Sequence, residues 1–203
     1  MSDERPSDDP PRLAQLRDVE TVYQPAEDSR LLAATAADSI DSDALVLDVG
    51  TGSGYVAARI REATGVRVIG SDINPEACRQ TRERGVPAVR GNLTDPFGAD
   101  TFDWVLFNPP YLPTPPEREW DDPLEHALSG GEDGRRVIRP FLADVARVLA
   151  PGGGVLLLVS SLTDIEAVTD LAADAGLTSR EVAEEAFPFE RLVVLKLLLD
   201  IRE

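Results

Sequence analysis

Residues 108–111 read Asn-Pro-Pro-Tyr and close the apolar run Phe102-Asp103-Trp104-Val105-Leu106-Phe107. Here the residue types could do chemistry. Pro109 and Pro110 fix φ and lack N–H groups, so the carbonyls of the turn lose their usual local partners. The side-chain oxygen of Asn108 and the carbonyl of Pro109 can each accept one hydrogen bond from a planar NH2 group. Tyr111 offers a flat face to stack on it. Such a nitrogen is a poor nucleophile, because its lone pair is delocalised into a π system. Gripping both protons aims the nitrogen and favours its pyramidalisation as it attacks. No strong base is required, since the nitrogen becomes acidic only after attack. Asn108, Pro109, Pro110 and Tyr111 are the candidate catalytic residues.

The donor of the transferred group is indicated by a second segment. Leu45-Val46-Leu47-Asp48-Val49 reads as a buried strand that runs into Gly50-Thr51-Gly52-Ser53-Gly54 and a helix. Glycines at alternate positions let a ligand approach the backbone, and the helix N-terminus presents unpaired N–H groups. The spacing is not the Gly-x-Gly-x-x-Gly of dinucleotide binders, and Asp48 would repel phosphates. A carboxylate there suits, directly or through water, the cationic aminoacyl end of S-adenosylmethionine. Asp72 stands about 20 residues beyond the turn, where an acidic side chain can take both ribose hydroxyls. Ile73 is placed to flank the adenine, and Asn92 and Leu93 to bind its amine and close its other face. The bland alternative is a nucleotide fold in which Asp48 and Asp72 only cap helices.

Elements must position these residues. Strands are expected at Ala44–Val49, Val66–Ser71, Pro87–Gly91, Phe102–Phe107, Gly154–Ser160 and Leu192–Leu199, with a weaker one near Ser179–Phe187. Helices are expected at Gly54–Ala63, Pro75–Arg84, Arg135–Leu149 and Thr163–Ala175, after an amphipathic helix through Leu31, Leu32, Ala36 and Ile40. Alternation of this kind implies βαβ units and a mostly parallel α/β sheet covered on both faces, the Rossmann-like class. Only Pro188, Phe189 and Glu190 separate the last two strands, which is hairpin spacing, so one of them must be antiparallel. Residues 1–12 read as a disordered leader, 13–23 as a covering segment, and 13–203 as one domain.

Composition bounds the partners. The net charge of -17 disfavours direct nucleic-acid binding, although only one of the 20 basic residues, Lys196, is lysine and the carboxylates are spread along the whole chain. That distribution resembles the surface of a salt-adapted protein. At molar salt the Debye length is roughly 3 Å, so long-range steering would be lost in any case. No apolar run is long enough to span a bilayer, and the start of the chain is too polar for a signal peptide, so a cytoplasmic protein is expected. One cysteine, Cys78, and one histidine, His126, leave no cluster with metal-ligand spacing, so no metal is expected.

Four segments, Tyr23–Ser29, Asp48–Gly54, Asp72–Ala77 and Asn108–Tyr111, together resemble the HemK-type protein-glutamine N-methyltransferases. The short archaeal and eukaryotic branch, which acts on the Gly-Gly-Gln loop of class I translation release factors, is the nearest in pattern. Leu128-Ser129-Gly130-Gly131-Glu132-Asp133-Gly134-Arg135 is similar to the glycine-containing segment that follows the catalytic loop in that family. The resemblance implies a class I S-adenosylmethionine methyltransferase fold, with the cofactor held by Ser29, Asp48, Gly50, Asp72, Asn92 and Leu93, and Asn108 touching cofactor and substrate. Gly52 and Gly54 complete the cofactor turn. Asn92 stands where the family commonly has aspartate. The stretch before the first strand is too short for the helical domain of the bacterial branch. The resemblance therefore also implies a heterodimer with a small zinc-binding activator, docked on the edge near Val66–Ile69.

Two other functions remain open at this level. The same grip serves adenine or guanine in RNA or DNA, although a target-recognition domain is missing. A noncatalytic cofactor-binding subunit is a third reading. Asp121–Glu125 could form an acidic rim, His126 reads as structural, and Trp120 and Phe97 as packing residues.

Overall fold

The computed structural model describes residues 22–115 and 127–199. The expected leader, the start of the covering segment, Trp120, the acidic 121–125 stretch and His126 lie outside these residues. Among these described residues, five α-helices and seven strands lie wholly in view, in the order α1 (Glu27–Ser39), β1 (Leu45–Val49), α2 (Tyr55–Thr64), β2 (Arg67–Asp72), α3 (Pro75–Glu83), β3 (Ala88–Arg90), β4 (Phe102–Phe107), α4 (Ile138–Val148), β5 (Leu149–Ser160), α5 (Ile165–Asp174), β6 (Leu177–Phe187) and β7 (Glu190–Leu199).

The strands form one sheet in the order β3-β2-β1-β4-β5-β7-β6. β1 to β5 are parallel, β7 runs antiparallel between β5 and β6, and a two-residue turn joins β6 to β7. The order reverses between β1 and β4, and in open α/β sheets the ligand crevice lies at such a switch, outside the carboxyl ends of the strands. Both candidate loops leave from there, since Val49 and Phe107 are paired neighbours.

The period-2 alternation of strand side chains builds two cores. Leu47, Val49, Val105, Phe107 and Leu157 pack with Phe141, Leu142 and Val145 of α4 and Val168 of α5. Val46, Leu106, Leu156 and Val194 pack on the opposite face with Leu32 and Ala36 of α1 and Val56 and Ile60 of α2. Near-continuous apolar runs such as Val155–Val159 are what a strand buried on both faces requires. Burying a Leu or Val side chain is worth about 1.5–3 kcal/mol, so these two layers dominate the stability of the framework.

Element boundaries moved for local reasons. The helix expected from Arg135 starts at Ile138, because the Arg136 N–H bonds the Gly130 carbonyl and the Arg135 N–H bonds the Asp133 carboxylate, which holds both outside the helix. β5 starts five residues early, at Leu149, and its pairing with β4 shifts register between Phe102 and Trp104 around the Pro-Gly-Gly-Gly bend. β6 is a full strand from Leu177, longer than its sparse apolar content predicts. The expected edge also needs refinement. β2 is second from the edge, but the short β3 pairs only with Gly70, Ser71 and Asp72.

Candidate active site

The glycine turn is held from below by two carboxylates. Asp48, only 3% exposed, accepts from the Thr51 hydroxyl at 2.7 Å. Burial pushes its pKa up to about 7, against the opposing pull of the Thr51 hydroxyl and the Ala57 N–H. Asp72, at the end of β2, accepts from the Gly52 N–H at 3.0 Å and the Asn74 N–H at 2.8 Å. Desolvation raises its pKa too, and those backbone donors oppose the shift. Each Asp72 oxygen keeps lone-pair capacity for a further donor.

Gly50, Gly52 and Gly54 all have positive φ, at 59°, 54° and 76°. Their reasons for being glycine differ. At Gly52 an added Cβ would meet nothing nearer than two backbone oxygens at 3.9 Å, so the space above it is open to a ligand. At Gly54 it would sit 2.8 Å from the Thr81 Cα, so close packing of the α2 start on α3 alone demands glycine there. Beside the turn, Ile73 is 66% exposed, a large apolar side chain left facing outward at the end of β2. Leu93 sits at φ 48°, and its carbonyl accepts from the Ser71 hydroxyl at 3.4 Å. Asn92 is exposed and reaches Asp95 at 3.4 Å. The loop from Asn92 is fastened to α4. The Thr94 hydroxyl donates to Asp144 at 2.7 Å, and Arg147 donates to the Phe97 and Thr94 carbonyls at 2.7 and 3.2 Å.

The acceptor loop is organised differently. Asn108 Nδ2 donates to Asp28 Oδ2 at 3.1 Å and lies 3.5 Å from the Ser29 hydroxyl. A carboxylate cannot donate, so this contact fixes which end of the amide is which. The other end, Oδ1, is buried and has no hydrogen-bond partner. An unpaired buried carbonyl oxygen costs about 1–3 kcal/mol, so a donor is wanted there. The cleft of about 150 Å³ alongside is bounded by Tyr23, Asp28, Asn108, Pro109, Tyr111 and Leu128. Burial raises the Tyr23 and Tyr111 pKa values well above the ordinary phenol range, and Asp28 adds to both shifts, so neither is a base at neutral pH.

Asp28 is the residue that sequence reasoning passed over. It is 3% exposed, yet it gathers Tyr23 (3.0 Å), the Ser29 N–H (2.5 Å) and Asn108 (3.1 Å) on one carboxylate. Its place inside Tyr23–Ser29 was visible, but an acidic residue in the first turn of a helix reads equally well as a dipole partner. The segment around Gly130 completes the frame. The Leu112 N–H bonds the Leu128 carbonyl at 3.0 Å, Gly130 N–H the Leu112 carbonyl at 2.9 Å, and Thr114 N–H the Gly131 carbonyl at 2.9 Å. Gly134 comes so near that a Cβ would sit 2.5 Å from the Tyr111 carbonyl oxygen.

Asp48, the glycine turn and Asp72 are thus joined by direct contacts, Leu93 is tied to Ser71 beside them, and Ser29 meets Asn108. The open space over Gly52, the spare acceptors of Asp72 and the unpartnered Asn108 oxygen suit S-adenosylmethionine and an NH2 acceptor side by side.

Comparison with known proteins agrees. A methyltransferase-domain family profile matches residues 46–128. The chain is 35% identical to a provisionally named protein N5-glutamine methyltransferase of Methanocaldococcus jannaschii, over 86% of this chain and 90% of that one. It is 32% identical to human methyltransferase HEMK2, over 86% and 88% respectively. Among solved structures, the E. cuniculi Mtq2–Trm112 complex responsible for methylation of the eRF1 translation termination factor superposes with a TM-score of 0.72 at 27% identity, covering 88% of this chain and 99% of the other. The fold is that of a class I methyltransferase with S-adenosyl-L-methionine as cofactor, and the chain belongs to the HEMK2-type family of protein N5-glutamine methyltransferases.

Proposed function

We propose that this protein methylates the glutamine side-chain amide in the Gly-Gly-Gln loop of a class I translation release factor. The single observation that carries the reading is the buried Asn108 Oδ1 without a partner, in a residue that lines the acceptor cleft and whose opposite amide end is held by Asp28. S-adenosylmethionine, when bound, supplies an electrophilic methyl group. Asn108 Oδ1 and the Pro109 carbonyl accept the two amide protons and orient the nitrogen, while Tyr111 stacks on the amide plane. Asp28 positions Asn108. Asp48, Gly50, Gly52, Asp72, Ile73, Asn92, Leu93 and Ser29 hold the cofactor, and Gly54 shapes the turn through its contact with α3.

The similarity to the Mtq2–Trm112 complex supports a partner subunit, and we infer that it is a small zinc-binding activator. Its docking place is the outer side of β2 at Arg67–Ile69, which β3 leaves without a strand neighbour. Release factors act in the cytoplasm, which is where this reading puts the enzyme, and the dispersed acidity is read as adaptation to a salty interior. The test is methyl transfer from labelled cofactor to a release factor containing Gly-Gly-Gln and to versions with Asn or Glu in place of Gln, with and without the activator. Transfer to Gln alone, enhanced by the activator, is expected. Transfer to RNA or DNA oligonucleotides in its place would overturn the assignment.

A further inference from the structure

The acceptor cleft has a neighbour. A second cleft, of about 110 Å³, lies between α1 and the β6–β7 hairpin and is lined by Tyr23, Glu27, Asp28, Tyr111, Phe187 and Glu190. Tyr23, Asp28 and Tyr111 line both, so the two clefts share a wall and adjoin. The antiparallel course of β7 causes this. Its N-terminal end, with the turn that precedes it, falls at the same rim as the carboxyl ends of β4 and β5.

The hairpin tip is not a loose end. Glu190 accepts from the fully buried Ser160 hydroxyl at 2.6 Å, and the Arg191 N–H donates to the Ser161 hydroxyl at 2.9 Å, so both residues after the turn are fastened to the end of β5. On this tip stands Phe189, 94% exposed, the most exposed large apolar side chain among the described residues. A single exposed apolar residue ordinarily means nothing. An aromatic carried between Phe187 and Glu190, which both line a cleft adjoining the reaction site, on a backbone fastened just after the turn, is different, because it can bury a large area with little ordering of the chain that carries it.

Resting on the glutamine-methylation reading above, we infer that the second cleft and Phe189 form the docking surface for the polypeptide stretch flanking the acceptor residue, with Phe189 as its apolar anchor. Continuity with the acceptor cleft selects this occupant: a chain that places one side chain against Asn108 must lay its neighbours along the adjoining walls. The lining also sets its character. Glu27, Asp28 and Glu190 bring carboxylates to these walls, and their negative field adds to the raised pKa of both tyrosines. Of these three, only Glu27 has a cation paired with it among the described residues, Arg30, in an exposed contact at 3.7 Å. An acidic flank is therefore disfavoured, and a neutral or basic one accepted.

The experiment uses the full chain with its activator and an intact release factor. Phe189→Ala is expected to raise the KM for the release factor about tenfold or more, with kcat and S-adenosylmethionine affinity within about twofold, and Phe189→Leu to recover part of the loss. Replacing residues next to the acceptor glutamine by Asp should raise KM for the unmodified enzyme, and Glu190→Gln should narrow that penalty. An unchanged KM for Phe189→Ala, or a loss shared equally by kcat and cofactor affinity, overturns the inference while leaving glutamine methylation intact. If the unmodified enzyme does not methylate the release factor at all, the substrate assignment falls and this inference falls with it.

Discussion

The two halves of the site follow opposite rules of hydrogen bonding. On the proposed cofactor side the carboxylates are engaged by the chain itself, Asp48 by Thr51 and Asp72 by Gly52 and Asn74, so the turn is held by the chain's own contacts. On the acceptor side one end of an amide is anchored to Asp28 and the other is left without a partner. The first arrangement is that of a mould. The second leaves one position that, in the proposed function, the reacting group completes, where a bond that strengthens as the nitrogen changes shape contributes to rate and not only to affinity.

That contrast can be broken most severely at Asn108. Asn108→Ala should reduce kcat about 100- to 1,000-fold, as loss of an orienting transition-state hydrogen bond does, while calorimetry finds S-adenosylmethionine affinity within a few fold. Asp28→Asn comes next. It keeps the size of the side chain but frees the Asn108 amide to rotate, and kcat should fall about 10- to 100-fold, the value of a hydrogen bond to a charged group. A fall confined to cofactor affinity would show that Asp28 belongs to the other half. Asp72→Ala should do the reverse of Asn108→Ala, weakening S-adenosylmethionine binding by about tenfold or more with the fold intact by circular dichroism.

The smallest expected effect sharpens the comparison. Asp144→Asn loosens the fastening of the 92–97 loop to α4, through Thr94 and Arg147, at an exposed ion pair. Such pairs contribute little, about 0–1 kcal/mol, so cofactor affinity should drop only a few fold and kcat at saturating cofactor should hold. A fall in kcat as large as that of Asp28→Asn would mean that the halves are not separable.

Much of this was legible in the sequence, and the exceptions have physical causes. Apolar strands buried on both faces announce themselves, so β1, β4 and the core of β5 were found close to their true limits. The hairpin was readable from the spacing around Pro188. β6 was under-read because most of its side chains are exposed, and its membership rests on backbone pairing with β7 along its whole length. Asn108, Asp72 and the glycine turn could be proposed from the sequence because the features that mark them are local. Asp28 was not, since its importance comes from a contact with a residue 80 positions away. Gly54 was placed in the cofactor set on pattern alone, whereas its lack of a side chain answers to Thr81.

The bridge between Leu112 and Ser129 makes the chain leave and rejoin the acceptor loop at one place. Ala127 and Leu128, just before Ser129, line the same cleft as Asn108, so the bridge moors one wall of that cleft through main-chain bonds alone. Side chains at these two positions can therefore be exchanged to reshape the cleft without cutting its moorings.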